Sequence, residues 1–279
     1  KAIGARLARP NKTLGQMKGV LKVKKKLPPL VAIPTTAGTG SETTLAAVIT
    51  DAKTRHKYAI NDFPLIPKYA ILDANLTLGL PGKVTSTTGM DALTHAVEAY
   101  IGRSTTRRTR ECSKQAVKLI FENLEKAYND GSNFEARQNM LNAAYLAGLA
   151  FTKSYVGYVH AIAHSLGGKY NTPHGLANAV ILPYMLRYYG KSVYKKLHQL
   201  AVYSGLCGNN ISHKQGAEIF INRIEQLNKN MSIGTKLDLD EKDIDELATT
   251  AEKEANPLYP VPKLLTKDQL KEVYLMIKK

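Results

Sequence analysis

The chain has 279 residues, 44% of them hydrophobic, enough to bury a sizeable core in one large or two ordinary domains. Its 39 basic and 23 acidic residues give a formal charge of +16, which favours a polyanionic partner; the lysines of Lys18 to Lys26 and the arginines of Arg103 to Arg110 lack interleaved aromatic residues, which argues against specific nucleic-acid binding. No run reaches the ~18 to 20 apolar residues of a membrane helix and no charged-then-apolar leader is present, so a soluble, cytoplasmic protein with no membrane partner is expected.

In chain order, Lys1 to Arg9 reads as helix, with nothing before it to serve as N-cap. Asn11 to Leu27 is polar, lysine-rich and without clear periodicity, and Pro28-Pro29 breaks it. Leu30-Val31-Ala32-Ile33 is a short apolar run that reads as a buried parallel strand. At its carboxyl end stands Pro34-Thr35-Thr36-Ala37-Gly38-Thr39-Gly40-Ser41-Glu42. Ligands of open α/β sheets dock there, and small and hydroxyl residues suit such a loop as well as they suit an ordinary turn. Leu45 to Thr50 and Tyr69 to Asp73 are further strand candidates, with Lys57 in a basic loop between them.

From Thr85 onward strand-like runs give way to amphipathic segments, so a boundary near Pro81 to Thr85 divides the chain into 1–84 and 85–279. Helices are expected over 86–101, 109–128, 134–152, 158–166, 176–189, 192–203, 214–227, 241–254 and 266–277, with Asp240 and Thr266 as N-caps. Cys112 and Cys207 stand far apart and in no metal-binding spacing, which fits a reducing compartment. Asp91 and His95 fall four apart in the first helix, so one face presents a carboxylate beside an imidazole. Three of the seven histidines, His160, His164 and His174, crowd into a second segment. Either set alone is ordinary; together they suit a divalent first-row metal doing Lewis-acid chemistry. His56, His198 and His213 read as surface or helix-face residues, and Phe151, Tyr184 and Tyr188 as core.

The segments G-M-D-A-L-T-H-A-V-E-A-Y and G-Y-V-H-A-I-A-H-S-L-G-G-K-Y-N-T-P-H-G resemble the two signatures of the iron-containing (group III) alcohol dehydrogenases, the family of lactaldehyde reductase and butanol dehydrogenases. The resemblance implies Fe(2+), or Zn(2+) in its place, held by Asp91, His95, His160 and His174, with His164 near substrate and nicotinamide. Thr35-Thr36-Ala37-Gly38-Thr39 is similar to that family's T-T-A-G-T loop, which implies NAD(P) contacts at Thr35, Thr36, Gly38 and Thr39, with Thr44, Lys57 and Leu76 at further contact positions. The implied fold is dehydroquinate synthase-like: an α/β remnant of a dinucleotide-binding domain followed by an all-α metal-binding domain. The implied reaction is hydride transfer between NAD(P)H and a small aldehyde or alcohol.

The sequence departs from that pattern in two places. Asp73-Ala74-Asn75 replaces a commoner D-P, and no G-G-G-S or G-x-G-x-x-G phosphate loop is found, so a chain truncated at its N-terminus is expected. An exposed sheet edge would then favour a homo-oligomer. Two other readings stay open: a catalytically impaired relative that binds metal only, and a polyanion-binding basic protein.

Overall fold

The computed structural model describes residues 1–51 and 57–279, apart from the Lys57 side chain. Its first part is a small α/β unit. Helix α1 (Ala2–Ala8) lacks a side-chain cap and packs Ala5 against a small core of Met17, Val23, Leu27, Ala47, Ile60 and Leu65. Strand β1 (Gly19–Val20) pairs in parallel with β4 (Lys57–Asn61), and β4 pairs antiparallel with β3 (Ala46–Thr50) in the register Val48 to Ala59. A separate parallel pair joins β2 (Val31–Ala32) to β5 (Tyr69–Ala70).

One segment without a structural expectation is resolved here and one expectation is corrected. The polar segment before Pro28 is ordered, because the buried Asp62 carboxylate accepts the backbone amides of Val23 and Lys24 at 2.9 Å each; this substitutes for ladder bonds and seats Met17 and Val23 in the core. The strand at Leu30 to Ile33 is parallel, as read, but not buried: Val31 and Ile33 are about half exposed, and among the described residues β2 pairs with β5 in a sheet of two strands.

The rest is helical, and several of the helices start at a side-chain cap. Helix α2 (Gly82–Ile101) is buried without interruption from Gly89 to Ile101. It packs on α3 (Arg107–Asn129), capped by a Thr106/Thr109 box, and on α4 (Phe134–Ser154), capped by Asn133. Next come α5 (Tyr158–Tyr170), α6 (His174–Tyr189) and α7 (Tyr194–Tyr203). Ser212/Gln215 and Thr266/Gln269 boxes start α8 (His213–Asn230) and α10 (Lys267–Ile277), with α9 (Ile244–Ala255) between them. Asp240 caps a short 3-10 turn rather than α9 itself.

Pro183 lies inside α6 and offers no N–H to the carbonyl of Ala179. The buried Asn228 side chain of α8 supplies that bond at 2.7 Å, so the partner helix repairs the break. One large core spans α2 through α10. Among the described residues no helix is long and apolar enough to cross a membrane.

Candidate metal centre

Three helices converge on the centre. Helix α2 runs through the middle of the helical part and carries Asp91 and His95 on one buried face. Helix α5 contributes His160 and, one turn on, His164, while α6 begins with His174. The close approach of α6 to α2 depends on Gly175: a Cβ there would stand 2.3 Å from the Thr87 carbonyl oxygen. A side chain at that position would lift the start of α6, and His174 with it, away from Asp91.

The resulting geometry gathers Asp91, His160 and His174, whose donor atoms all lie within 4.8 Å of one another. The Asp91 Oδ1 atom is 3.6 Å from His160 Nε2 and 3.4 Å from His174 Nε2. His95 completes the enclosure by stacking on His160, with ring centroids 4.4 Å apart, and its buried Nδ1 has no hydrogen-bond partner. An orphaned imidazole nitrogen next to three clustered nitrogen and oxygen donors is the donor set of a borderline divalent cation, so the residues present fit iron or zinc.

Electrostatics follow from burial and crowding. Burial alone would raise the Asp91 carboxyl, yet the imidazoles of His95, His160 and His174 outweigh it and hold the group well below the usual carboxylate range. Desolvation drives His95 down to about 3 and lowers His174. His160 goes the other way: burial opposes its charge, but Asp91 and Glu98 on either side raise it to about 9.

Two residues of the centre have no counterpart in the sequence reading. Glu98 is buried under α5, where its Oε2 lies 2.6 Å from His160 Nδ1 and accepts the Gly157 amide at 2.8 Å, while Oε1 accepts the Val159 amide at 2.9 Å. A carboxylate at a helix N-terminus is favourable, and here it also orients a ring. Asn178 donates its Nδ2 to Asp91 Oδ1 at 2.7 Å and lies 3.1 Å from His174 Nε2. Helical spacing held the signal for both: Glu98 follows Asp91 at i+7 and His95 at i+3, and Asn178 follows His174 at i+4.

His164 sits outside the cluster, its ring stacked on His174 at 5.1 Å, with Nδ1 2.6 Å from Glu254 Oε1. Phe151, read as core, instead stacks on His95 at 4.1 Å and forms part of the wall. His198, read as a surface or helix-face residue, lies on α7 and is buried, with its Nδ1 2.9 Å from His213 Nδ1.

The loop after β2 lies against the same helix. A Cβ on Gly38 would meet the Thr88 carbonyl oxygen at 2.6 Å, so the loop touches α2 one turn before Asp91. Thr35 and Thr39 are exposed and Thr36 is half-buried at this edge. Thr44 is buried and accepts Lys1 Nζ at 2.7 Å, and Leu76 is exposed on a 3-10 turn. The Lys57 side chain and His56 lie outside the described residues.

The chain matches known proteins over both of its parts. Residues 85–277 match the family model described as "Fe-containing alcohol dehydrogenase family, C-terminal", and residues 1–74 match "Iron-containing alcohol dehydrogenase". The chain is 44% identical over 228 residues to 1,3-propanediol dehydrogenase of Citrobacter freundii, covering 81% of this chain and 59% of that protein. The NAD-dependent methanol dehydrogenase of Bacillus methanolicus is 40% identical over 257 residues, which are 90% of this chain and 66% of that one. Among solved structures, 1,3-propanediol oxidoreductase superposes with a TM-score of 0.93 at 38% identity, over 98% of this chain and 72% of its own. The chain thus spans about three fifths of the length of the first curated relatives, 59% and 60%.

Proposed function

We infer, for a chain that belongs to the iron-containing alcohol dehydrogenase family over both of its matched spans, that the protein interconverts a small alcohol and its aldehyde by hydride transfer with NAD(P). The family and the relatives are iron-containing, NAD(P)-dependent alcohol dehydrogenases. The observation that carries the inference is the cluster of Asp91, His160 and His174 donors within 4.8 Å, walled by His95.

The residues that would hold the ion are Asp91, His95, His160 and His174, with Fe(2+) as the family's metal and Zn(2+) as the substitute. A cation bound there supplies Lewis-acid stabilisation of a developing alkoxide. The chain's own residues do the rest. Glu98 holds the His160 ring and the start of α5 in register, and Asn178 ties Asp91 to α6. Oxidation removes a hydride from the alcohol carbon to the nicotinamide and a proton from the alcohol oxygen. We assign the proton to His164, which is part-exposed beside the cluster and is not one of its donors.

Residues 1–84 form the cofactor side in this reading and 85–279 the metal side. Thr35, Thr36, Gly38 and Thr39 would face the cofactor, with Thr44, Lys57 and Leu76 as further contacts. The support is the packing of Gly38 on Thr88, which sets the loop one helical turn from the metal cluster.

The test is elemental analysis of protein loaded with iron or zinc, together with NAD(P)H absorbance in the presence of short-chain aldehydes. A bound ion and aldehyde-dependent oxidation of NAD(P)H, both lost in Asp91→Ala, are expected. A bound ion without turnover would reduce the protein to a metal binder and overturn the dehydrogenase reading.

A further inference from the structure

His164 is the one histidine of the second motif that the metal cluster does not absorb. Its ring is 40% exposed, lies edge-on to His160 at 6.0 Å and stacks on His174. Stacking fixes the plane of such a ring but not which nitrogen points where. That choice falls to Glu254, on the last turn of α9 and 90 residues further along the chain, whose Oε1 is 2.6 Å from His164 Nδ1. The same oxygen accepts the Tyr259 hydroxyl at 2.7 Å, so the carboxylate is held from its far side as well.

The mount behind Glu254 is tied to the helices that build the centre. Asn256 accepts the hydroxyl of Tyr158, the first residue of α5, and donates to the Leu265 carbonyl at 3.0 Å. Arg103, just past α2, donates its backbone amide to the Pro260 carbonyl at 2.6 Å and its guanidinium to the Pro262 carbonyl at 2.9 Å. Glu254 is therefore referenced to α2 and α5, the elements that carry Asp91, His95 and His160.

We propose that Glu254 is the positioning residue of His164: it fixes the neutral imidazole with Nδ1–H on the carboxylate, so that Nε2 is the unprotonated nitrogen offered to the alcohol. The functional half of this statement rests on the dehydrogenase reading; the orientation of the ring does not. A neutral imidazole that donates from one nitrogen accepts at the other, and a carboxylate partner selects the tautomer. The competing description is a part-exposed ion pair with little energetic weight and no effect on the reaction.

The experiment compares wild type, Glu254→Ala, Glu254→Gln and Tyr259→Phe as zinc-loaded, nitrogen-15-labelled protein. Two-bond proton–nitrogen spectra read the tautomer of His164, assigned with His164→Gln, and steady-state kinetics are taken on the same samples. Wild type should show His164 protonated at Nδ1, and Glu254→Ala should lose that form. In Glu254→Ala, kcat should fall roughly 10- to 100-fold, as for other residues that orient a functional side chain, with metal content and alcohol KM unchanged. Glu254→Gln keeps an acceptor and should recover part of the loss, and Tyr259→Phe should fall between it and wild type.

His164 protonated at Nε2 in wild type, or an unchanged tautomer and kcat in Glu254→Ala, would overturn the proposal and leave the dehydrogenase reading standing. Should wild type turn over no alcohol, that reading fails, while the spectra still decide the role of Glu254. If Glu254→Ala does not fold, the same comparison is made with Glu254→Gln: a tautomer and kcat identical to wild type in both it and Tyr259→Phe would overturn the proposal.

Discussion

At the residue scale, Glu98 meets α5 at three points, the His160 ring and the amides of Gly157 and Val159. Glu98→Ala would leave a buried imidazolium short of one of its two carboxylates and two amides without acceptors. Breaking a buried pair of this kind costs roughly 3 to 5 kcal/mol. Metal affinity should fall about 10- to 100-fold with it, because His160 loses the group that aims it. Denaturant titration and competition with a chelator check the two effects, and an unchanged metal Kd would contradict the role given to Glu98. Acidity provides a second check. His160 carries its proton below pH about 9, so cation uptake must displace it; affinity should climb with pH and flatten near that value. Affinity independent of pH through the neutral range would mean that the proton is not on the ring. The pairs Asp91/His95 and His160/His164 were legible because each stands at helical spacing, whereas the role given to His174 came from the family resemblance. Glu98 and Asn178 obey the same arithmetic, whereas Glu254 reaches His164 across 90 residues and left no local trace.

At the scale of elements, two glycines set two separate approaches to α2. A Cβ at Gly175 meets the carbonyl of Thr87, and one at Gly38 meets the carbonyl of Thr88; backbone cannot swing aside for either. Overpacking of this kind costs about 1 to 3 kcal/mol. The functional losses should differ: Gly175→Ala displaces His174 and weakens metal binding, while Gly38→Ala lifts the loop and raises the cofactor KM with metal content intact. Metal analysis beside kinetics separates the two, and identical profiles would show that the loop and the metal cluster are not independent. Helix α6 offers a further case in Asn228 and Pro183. Asn228→Ala should cost about 1 to 3 kcal/mol by stranding the Ala179 carbonyl, and less in a Pro183→Ala background, where the helix supplies its own N–H. Equal costs in both backgrounds, from a double-mutant cycle, would sink that account.

Over the whole molecule the chain builds two cores of unequal size: a handful of side chains within the first 65 residues, and a continuous cluster from α2 to α10. Cooperativity should follow. Amide exchange is expected to be faster in β1, β3 and β4 than in α2, α5 and α6, and comparable protection throughout would argue for a single folding unit. The helical part was read to within a few residues because apolar periodicity and Gly, Pro and capping residues are local signals. Strand burial was misjudged at Val31 and Ile33, since it depends on what lies across the sheet rather than on the strand. Helix α2 unites these scales, being enclosed on every side from Gly89 to Ile101 while also presenting Asp91, His95 and Glu98. Such a helix is the least adaptable part of the scaffold: an altered residue there disturbs packing and chemistry at once. Attempts to alter the proposed chemistry should therefore mutagenise the accessible surface around His164 and leave α2 untouched.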